Sequence, residues 1–262
     1  MDPNPITTAD EVVAFFARSP RARSEFERWK RRLPQVAERV RWHRSEAVYR
    51  VSSESVRKLA SAHPLGDVRP EEGYRVKIIR DWFPQFAFIH IFHFYLEGLG
   101  RIFSFEELRG LGQEEEWRGL LHAPAEEVLR RAVEAGYTRE EARKSMQWRI
   151  GLAYYSFLRE VFTVARLREL GLDMRVHPLA DALFRADAWC GPVVLSLYVR
   201  NRQFRDGRAG RKPAAEELLG PGRPDLRFVS LPLAAQRTWG RVHLPSEEEV
   251  QECAASIRRA LA

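Results

Sequence analysis

The fold is decided by residues 187–200, which read DAWCGPVVLSLYVR. Because successive side chains of a strand point to opposite faces, residues two apart share a face. The set that begins at Val193 is apolar throughout, whereas the set that begins at Val194 becomes polar and ends at Arg200. The alternation predicts a strand over 192–199 with one face in the core and the other increasingly polar.

Capping and turn signals define the elements on either side of this strand. Thr138-Arg-Glu-Glu141 is a capping box, which predicts a long helix to about Leu170 with Gly171 as its stop. The other predicted elements of this half are extended segments over 174–177 and 179–189, a helix over 213–219, a strand over 226–231 with which 239–244 can pair, and a final helix capped at Ser246. The predicted order from residue 138 is helix, three strands, helix, strand and helix.

The first half of the chain is predicted to be mainly helical. Residues 8–11 form another capping box, and residues 21–43 carry a basic helical pattern. Residues 74–96 are rich in aromatic residues and isoleucine, and they fit a buried helix or a buried strand equally well. We therefore predict an α+β protein with a helical region over 1–136 and an α/β core over 137–262.

The composition indicates a folded and strongly basic protein. Hydrophobic residues make up 45% and charged residues 30% of the chain, which argues against disorder. The formal net charge is +7, and nearly all of the basic residues are arginines. This balance favours a polyanionic partner, of which nucleic acid is the commonest. A basic protein without such a partner is the alternative that the composition leaves open.

The sequence lacks the signals of zinc-binding, disulfide-rich, secreted and membrane proteins. Cys190 and Cys253 are too few for a zinc knuckle or a disulfide framework. The chain begins without the basic-then-apolar pattern of a signal peptide, and the apolar run Trp82–Leu96 is too short to span a bilayer. We therefore expect a soluble, cytoplasmic protein without a membrane partner. The scarcity of asparagine, cysteine and methionine predicts a thermophilic protein.

A basic segment follows the strand over 192–199. Between Tyr198 and Lys212 the chain has six positive residues and a single acid, Asp206. Such a run can bind phosphates, or it can be a solvated loop. The predicted nucleic-acid-binding residues are Arg202, Arg205, Arg208, Arg211 and Lys212.

Asp187 stands among apolar residues at the end of the preceding extended segment, with Phe184 and Trp189 close to it in sequence. Because an unpaired buried charge is costly, this carboxylate needs a partner. A divalent cation would supply one, since Mg²⁺ prefers carboxylate oxygens. An ion pair with Arg185 or Arg200 is the alternative.

Residues 138–262 resemble the PD-(D/E)XK nuclease superfamily, which includes many restriction endonucleases and Holliday-junction resolvases. The resemblance rests on the predicted element order and on Asp187, which looks like the aspartate that the signature places at the second strand. The acid-x-Lys pair of the signature falls at Ser196 and Tyr198, so these two positions depart from it. The resemblance implies a restriction-endonuclease-like α-βββ-α-β core and Mg²⁺-dependent phosphodiester hydrolysis.

The resemblance also implies site residues. Some members of the superfamily supply an acid from the first core helix, and Glu160 lies in the middle of that predicted helix. Asp187 and Glu160 are thus the candidate metal ligands, although Glu160 can equally pair with a neighbouring arginine of its helix. The role of the lysine passes to Arg200 on the same strand face, to Lys212, or to no residue.

Other residues carry weaker signals. His90 and His93 share one face of a helix and are candidate metal ligands, but satisfied core histidines are the better interpretation. His177 could act as a base next to the site, or it could be a turn residue. The aromatic residues between 82 and 95 could stack on bases, but they fit a core better.

The sequence therefore predicts a Mg²⁺-dependent DNA endonuclease of restriction or defence type that acts on duplex DNA as a homodimer. The region 1–136 and the basic segment would hold the DNA, and Asp187, Glu160 and Arg200 would form the catalytic site. The missing acid-x-Lys pair favours an alternative, a non-catalytic nucleic-acid-binding or assembly subunit. A third class is a metabolic enzyme or interaction module whose basic charge is incidental.

Overall fold

The computed structural model describes residues 5–59, 65, 68–111, 114–200, 214–234 and 243–262. The protein is α+β and contains a small mixed sheet. Along the chain, helices come both before and after the strands of this sheet. Helices α1 to α14 span Ala9–Phe16, Pro20–Arg32, Pro34–Trp42, Ser53–Leu59, Pro70–Gly73, Lys77–Arg80, Phe88–Leu99, Phe105–Leu111, Glu115–Arg118, His122–Glu134, Arg139–Glu169, Pro178–Phe184, Ala215–Leu219 and Glu247–Leu261. Strands β1 to β5 span Thr7–Thr8, Arg44–Ser45, Ala188–Cys190, Val193–Arg200 and Arg227–Ala234.

Helix α11 is the long helix that the capping box predicts. The Thr138 hydroxyl accepts a hydrogen bond from the Glu141 amide at 3.2 Å, and the Glu141 carboxylate accepts one from the Thr138 amide at 2.9 Å. The helix ends at Glu169, Leu170 caps it, and Gly171 follows with φ +85°, a left-handed conformation that glycine adopts without steric cost. Most of the second half of α11 is buried, so this helix runs through the core.

Strands β3, β4 and β5 form a mixed sheet in that order. Strand β3 pairs with β4 in antiparallel fashion, with Trp189 opposite Val194, and β4 pairs with β5 in parallel, with Leu195 opposite Val229. The strand predicted over 174–177 is reduced to one antiparallel bridge between Arg175 and Trp189. Strand β5 and helices α13 and α14 are found where the sequence predicts them, whereas 239–242 lie outside the described residues.

The predicted extended segment over 179–189 is wrong in its first part. Residues 178–184 form helix α12, and only Ala188–Cys190 form a strand. Pro178 occupies the first turn, where its fixed φ suits a helix, and the His177 ring accepts a hydrogen bond from the Leu179 amide at 3.1 Å. An imidazole that caps the amides in this way replaces the usual serine or aspartate, so the helix start carries no familiar sequence signal.

The predicted two-faced pattern of β4 holds only in its second part. Val193, Val194 and Leu195 are all buried, so this part of the strand is covered on both faces. Beyond it, Leu197 is only partly buried and Tyr198 is exposed. The expected polar face therefore exists only from Ser196 onward.

The main hydrophobic core contains side chains from both sides of residue 136. Phe16 of α1 stacks on Phe184 of α12 and meets Trp189 of β3 edge-on, each with ring centroids 5.3 Å apart. Within the ambiguous aromatic segment over 74–96, residues 77–80 form helix α6 and residues from Phe88 onward belong to helix α7, which is buried along most of its length. No helix among the described residues has both the length and the apolar character needed to cross a membrane.

Candidate functional site

Asp187 is fixed against the sheet by its own backbone and side chain. It precedes β3, and its amide donates a hydrogen bond to the Leu195 carbonyl at 3.1 Å. Its Oδ2 accepts a hydrogen bond from the Leu197 amide at 2.5 Å. The carboxyl group is therefore held beside the middle of β4, where it is partly buried.

Glu160 approaches from α11 and lies in the interior, where it is only 5% exposed. Its Oε1 is 3.0 Å from Nε2 of His93, a fully buried residue of α7. Burial raises the pKa of Glu160 well above its usual range and lowers that of His93 to about 4. Burial therefore favours the neutral form of each group, and with it a neutral hydrogen bond over an ion pair.

Asp181 of α12 joins these two acids, and we call Glu160, Asp181 and Asp187 the acid cluster. The Asp181 side chain is hydrogen-bonded to that of Asp187. Burial raises the pKa of Asp187 well above its usual range, and the nearby charges of Asp181 and Glu160 raise it further. Two carboxyl groups in hydrogen-bond contact cannot both be ionised without strong repulsion, so their contact favours a proton shared between them.

Arg185 connects α12 to Asp187 in an unusual conformation. Its φ of 59° lies in the left-handed region, which costs a non-glycine residue free energy. Burial lowers its pKa, while the charges of Asp181 and Asp187 act in the opposite direction. Its Nε is buried and has no hydrogen-bond partner within the described ranges. A cationic residue with a strained backbone, Arg185, thus lies next to two acids.

The acid cluster contains only carboxylate oxygens, the type of donor that hard divalent cations prefer. Mg²⁺ commonly binds to one or two carboxylates and completes its shell with water and substrate phosphates. Among the described residues, no three His, Cys, Asp or Glu side chains form a ready-made metal-binding group. The carboxyl groups of the acid cluster therefore repel one another without forming a ready-made metal site. A cation would relieve their repulsion.

The structure brings some of the predicted site residues together, and others lie outside the residues that it describes. Asp187 and Glu160 come close enough for the charge of Glu160 to act on Asp187. Arg200 lies at the end of β4, but the position of its side chain is outside the described part. The basic residues of the segment, Arg202, Arg205, Arg208, Arg211 and Lys212, are also outside the described residues.

Sequence reasoning missed Asp181 as a member of the cluster. Asp181 and Asp187 are six residues apart and flank Arg185, a pattern that could have drawn attention. An extended segment over 179–189 would keep Asp181 far from Asp187. The two residues meet because residues 178–184 form helix α12 instead.

The conspicuous histidines have structural partners. His90 Nε2 is 3.1 Å from the Pro178 carbonyl oxygen, and His177 Nε2 is 3.3 Å from that of His43. The rings of His43 and His177 meet edge-on at 5.0 Å. Except for His93, which contacts Glu160, these residues connect the helical region to the start of α12.

Comparisons of the chain with protein-family models, with curated proteins and with solved structures gave no match. Any functional assignment therefore depends on the residues of the acid cluster and on the charge of the protein.

Proposed function

We propose that the protein is a Mg²⁺-dependent endonuclease of restriction or defence type that hydrolyses phosphodiester bonds in duplex DNA. The observation that carries this proposal is the convergence of Glu160, Asp181 and Asp187, which come from a core helix, a short helix and the edge of a sheet. Acids in such contact are costly unless a cation or proton compensates them. A net charge of +7 supports a polyanionic substrate.

The order of elements in the core also supports the proposal. Helix α11, the bridge at Arg175, strands β3 and β4, helix α13 and strand β5 follow the order of a nuclease-like core, with two departures: the first strand is reduced to the bridge, and helix α12 is inserted between the bridge and β3. The acid that the signature lacks at Ser196 has a substitute in Asp181, which reaches Asp187 from α12. Asp187 and Asp181 would hold the cation, with Glu160 as the third acid of the cluster.

The residues of the chain have distinct roles in this proposal. Bound at the acid cluster, Mg²⁺ would polarise the scissile phosphate and activate the attacking water. The Leu197 amide fixes the direction of the Asp187 carboxylate, and His93 fixes that of Glu160. Arg185, whose Nε has no partner among the described residues, would bind the phosphate in place of the missing lysine. A homodimer would bring two such sites to the two strands of a duplex.

The experiment is an incubation of supercoiled plasmid and phage DNA with Mg²⁺ or Mn²⁺. The wild-type protein should cut the DNA, and Asp187→Asn should abolish cutting, because the change removes a metal ligand without altering side-chain size. Asp10→Asn is the matched control, since Asp10 is an exposed acid on α1 outside the acid cluster. Intact DNA after incubation with the wild-type protein and both cations would refute the nuclease proposal.

A second candidate function is nucleic-acid binding without cleavage. Ser196 donates a hydrogen bond to the Arg185 carbonyl oxygen at 3.3 Å and Tyr198 is exposed, so neither position supplies the acid or the lysine of the signature. A gel shift that weakens steeply with salt, with no cleavage in any metal, would favour this function.

A further inference from the structure

Phe83 is an exposed aromatic residue in a run that is otherwise largely buried. Its side chain follows α6 and is 73% exposed, whereas Phe92 and Tyr95 on α7 are completely buried. The two interpretations of the aromatic run, core and stacking surface, therefore apply to different parts of it. Single exposed apolar residues are common on proteins, so the surroundings of Phe83 decide whether it has a function.

Arg149 of α11 holds Phe83 in place. Its guanidinium carbon lies 4.7 Å from the centre of the Phe83 ring and 5.4 Å from that of Phe88. Its Nε and Nη2 both donate to the Trp82 carbonyl oxygen, at 3.2 and 3.1 Å. The guanidinium is thus fixed by two hydrogen bonds and two aromatic rings. It supports one side of the Phe83 ring and leaves most of the ring in contact with solvent.

The exposed ring lines a groove with a volume of about 450 Å³, within the size range of small-ligand sites. Lys77 and Arg131 line the same groove and are exposed. The acid in the groove, Asp81, is already paired with Arg80 at 2.9 Å. The groove therefore combines a flat aromatic surface with an excess of positive charge.

We propose that this groove binds an unpaired, single-stranded segment of nucleic acid. A base would stack on the side of Phe83 opposite Arg149, and the flanking phosphates would lie against Lys77 and Arg131. Stacking on an exposed ring beside cations is the way in which proteins bind single strands without sequence preference. The inference rests on the proposed nucleic-acid partner, but it requires no cleavage.

The groove and the acid cluster are linked by one rigid helix. Arg149 and Glu160 are eleven residues apart on α11, which corresponds to about 16 Å along the helix axis. A strand of about five nucleotides covers such a distance, at roughly 3.4 Å for each nucleotide. The groove and the acid cluster therefore lie near two positions of α11 that are separated by about three turns.

The test measures fluorescence anisotropy with labelled oligothymidylate and oligouridylate of about 20 nucleotides, a length that exceeds common single-strand site sizes. Phe83→Ala and Phe83→Leu should raise the Kd about tenfold, the effect of one lost base stack. Phe83→Tyr keeps a flat ring and should bind as the wild-type protein does. The two oligonucleotides show whether DNA or RNA is preferred.

Two further variants separate this inference from the proposed function. Lys77→Gln combined with Arg131→Gln should reduce the slope of log Kd against log salt by about 1.4, or about 0.7 for each lost phosphate contact. The anisotropy is measured without a divalent cation, so binding is read independently of cleavage, and Asp10→Asn, at an exposed acid outside the acid cluster, should bind oligothymidylate as the wild-type protein does. Equal binding by the wild type and Phe83→Leu would overturn the inference, and so would a wild type that binds neither oligonucleotide.

Discussion

The side chains of Asp181 and Asp187 are hydrogen-bonded to each other beside strand β4. Two carboxyl groups in such contact share a proton unless a cation separates their charges. Burial is the first cause of the raised pKa of Asp187, and repulsion from the charges of Asp181 and Glu160 adds to it; a nearby divalent cation would oppose this repulsion. This relationship connects the geometry of the site to measurable proton uptake and release.

Cation binding should release protons from the acid cluster. Because the pKa of Asp187 is raised in the cation-free protein, Mn²⁺ or Mg²⁺ must displace the shared proton, and affinity should increase with pH. Calorimetric titration in buffers of different ionisation enthalpy measures the number of protons released. Asp181→Asn should lower this number. Heats that do not depend on the buffer would contradict the shared proton.

Glu160 should be replaceable by glutamine without loss of stability. Burial raises the pKa of Glu160 and so favours its protonated form, and an amide can keep the hydrogen bond that this form makes to His93. We expect Glu160→Gln to melt within a few degrees of the wild type. Glu160→Ala should lose about 2 kcal/mol, because it leaves His93 unpartnered in the interior.

Chemical denaturation at pH 7 of both Glu160 variants checks this prediction. Equal losses of stability in Glu160→Gln and Glu160→Ala would show that Glu160 is ionised and that its charge is needed.

Acid should destabilise the protein through its buried histidines. Burial lowers the pKa of His177 to about 3, whereas an unfolded histidine titrates near 6.5. The unfolded state therefore binds more protons below about pH 6.5, so this contribution to stability is present above that pH and is lost as the pH falls toward about 3. Glu160 and Asp187, with raised pKa values, act in the opposite direction.

Because these effects oppose each other, a variant must isolate the histidine. His177→Asn removes the titrating ring but retains a side chain that can cap the Leu179 amide. The Tm of this variant should fall less between pH 7 and pH 5 than the Tm of the wild type. Parallel curves would show that His177 does not remain neutral in the fold.

Arg185 should show a conflict between stability and function. The left-handed φ costs an L-residue about 1–2 kcal/mol, which glycine avoids. Arg185→Gly should therefore be about 1 kcal/mol more stable than Arg185→Ala, as measured by denaturation. Both variants should lose DNA cleavage, because both lack the cation next to the acid cluster. Cleavage at the wild-type rate by Arg185→Gly would show that Arg185 has no role in the site.

Sequence patterns predicted the parts of the fold that depend on local signals. The capping boxes at Thr8, Thr138 and Ser246 begin helices in the structure, and Gly171 ends the longest one. These signals act over a few residues, so they can be read without knowledge of the tertiary structure. The strand over 192–199 was predicted for the same reason.

Features that depend on distant contacts could not be predicted. The start of α12 depends on His177, an unusual capping residue that also lies within hydrogen-bond distance of the His43 carbonyl oxygen. The burial of Val194 depends on elements that pack on the sheet from elsewhere in the chain. The sequence therefore indicates only part of the candidate site: it points to Asp187 and Glu160 but not to Asp181.

The decisive experiment compares the rates at which the wild-type protein and Asp181→Asn cleave supercoiled plasmid in Mg²⁺. Asp181 is the acid that only the three-dimensional structure places in the site. Our account predicts cleavage by the wild type and a loss of about 100-fold or more in the variant, the scale expected when a metal site is disrupted. A wild type that leaves the plasmid intact, or a variant that cleaves it at the same rate, would contradict the account.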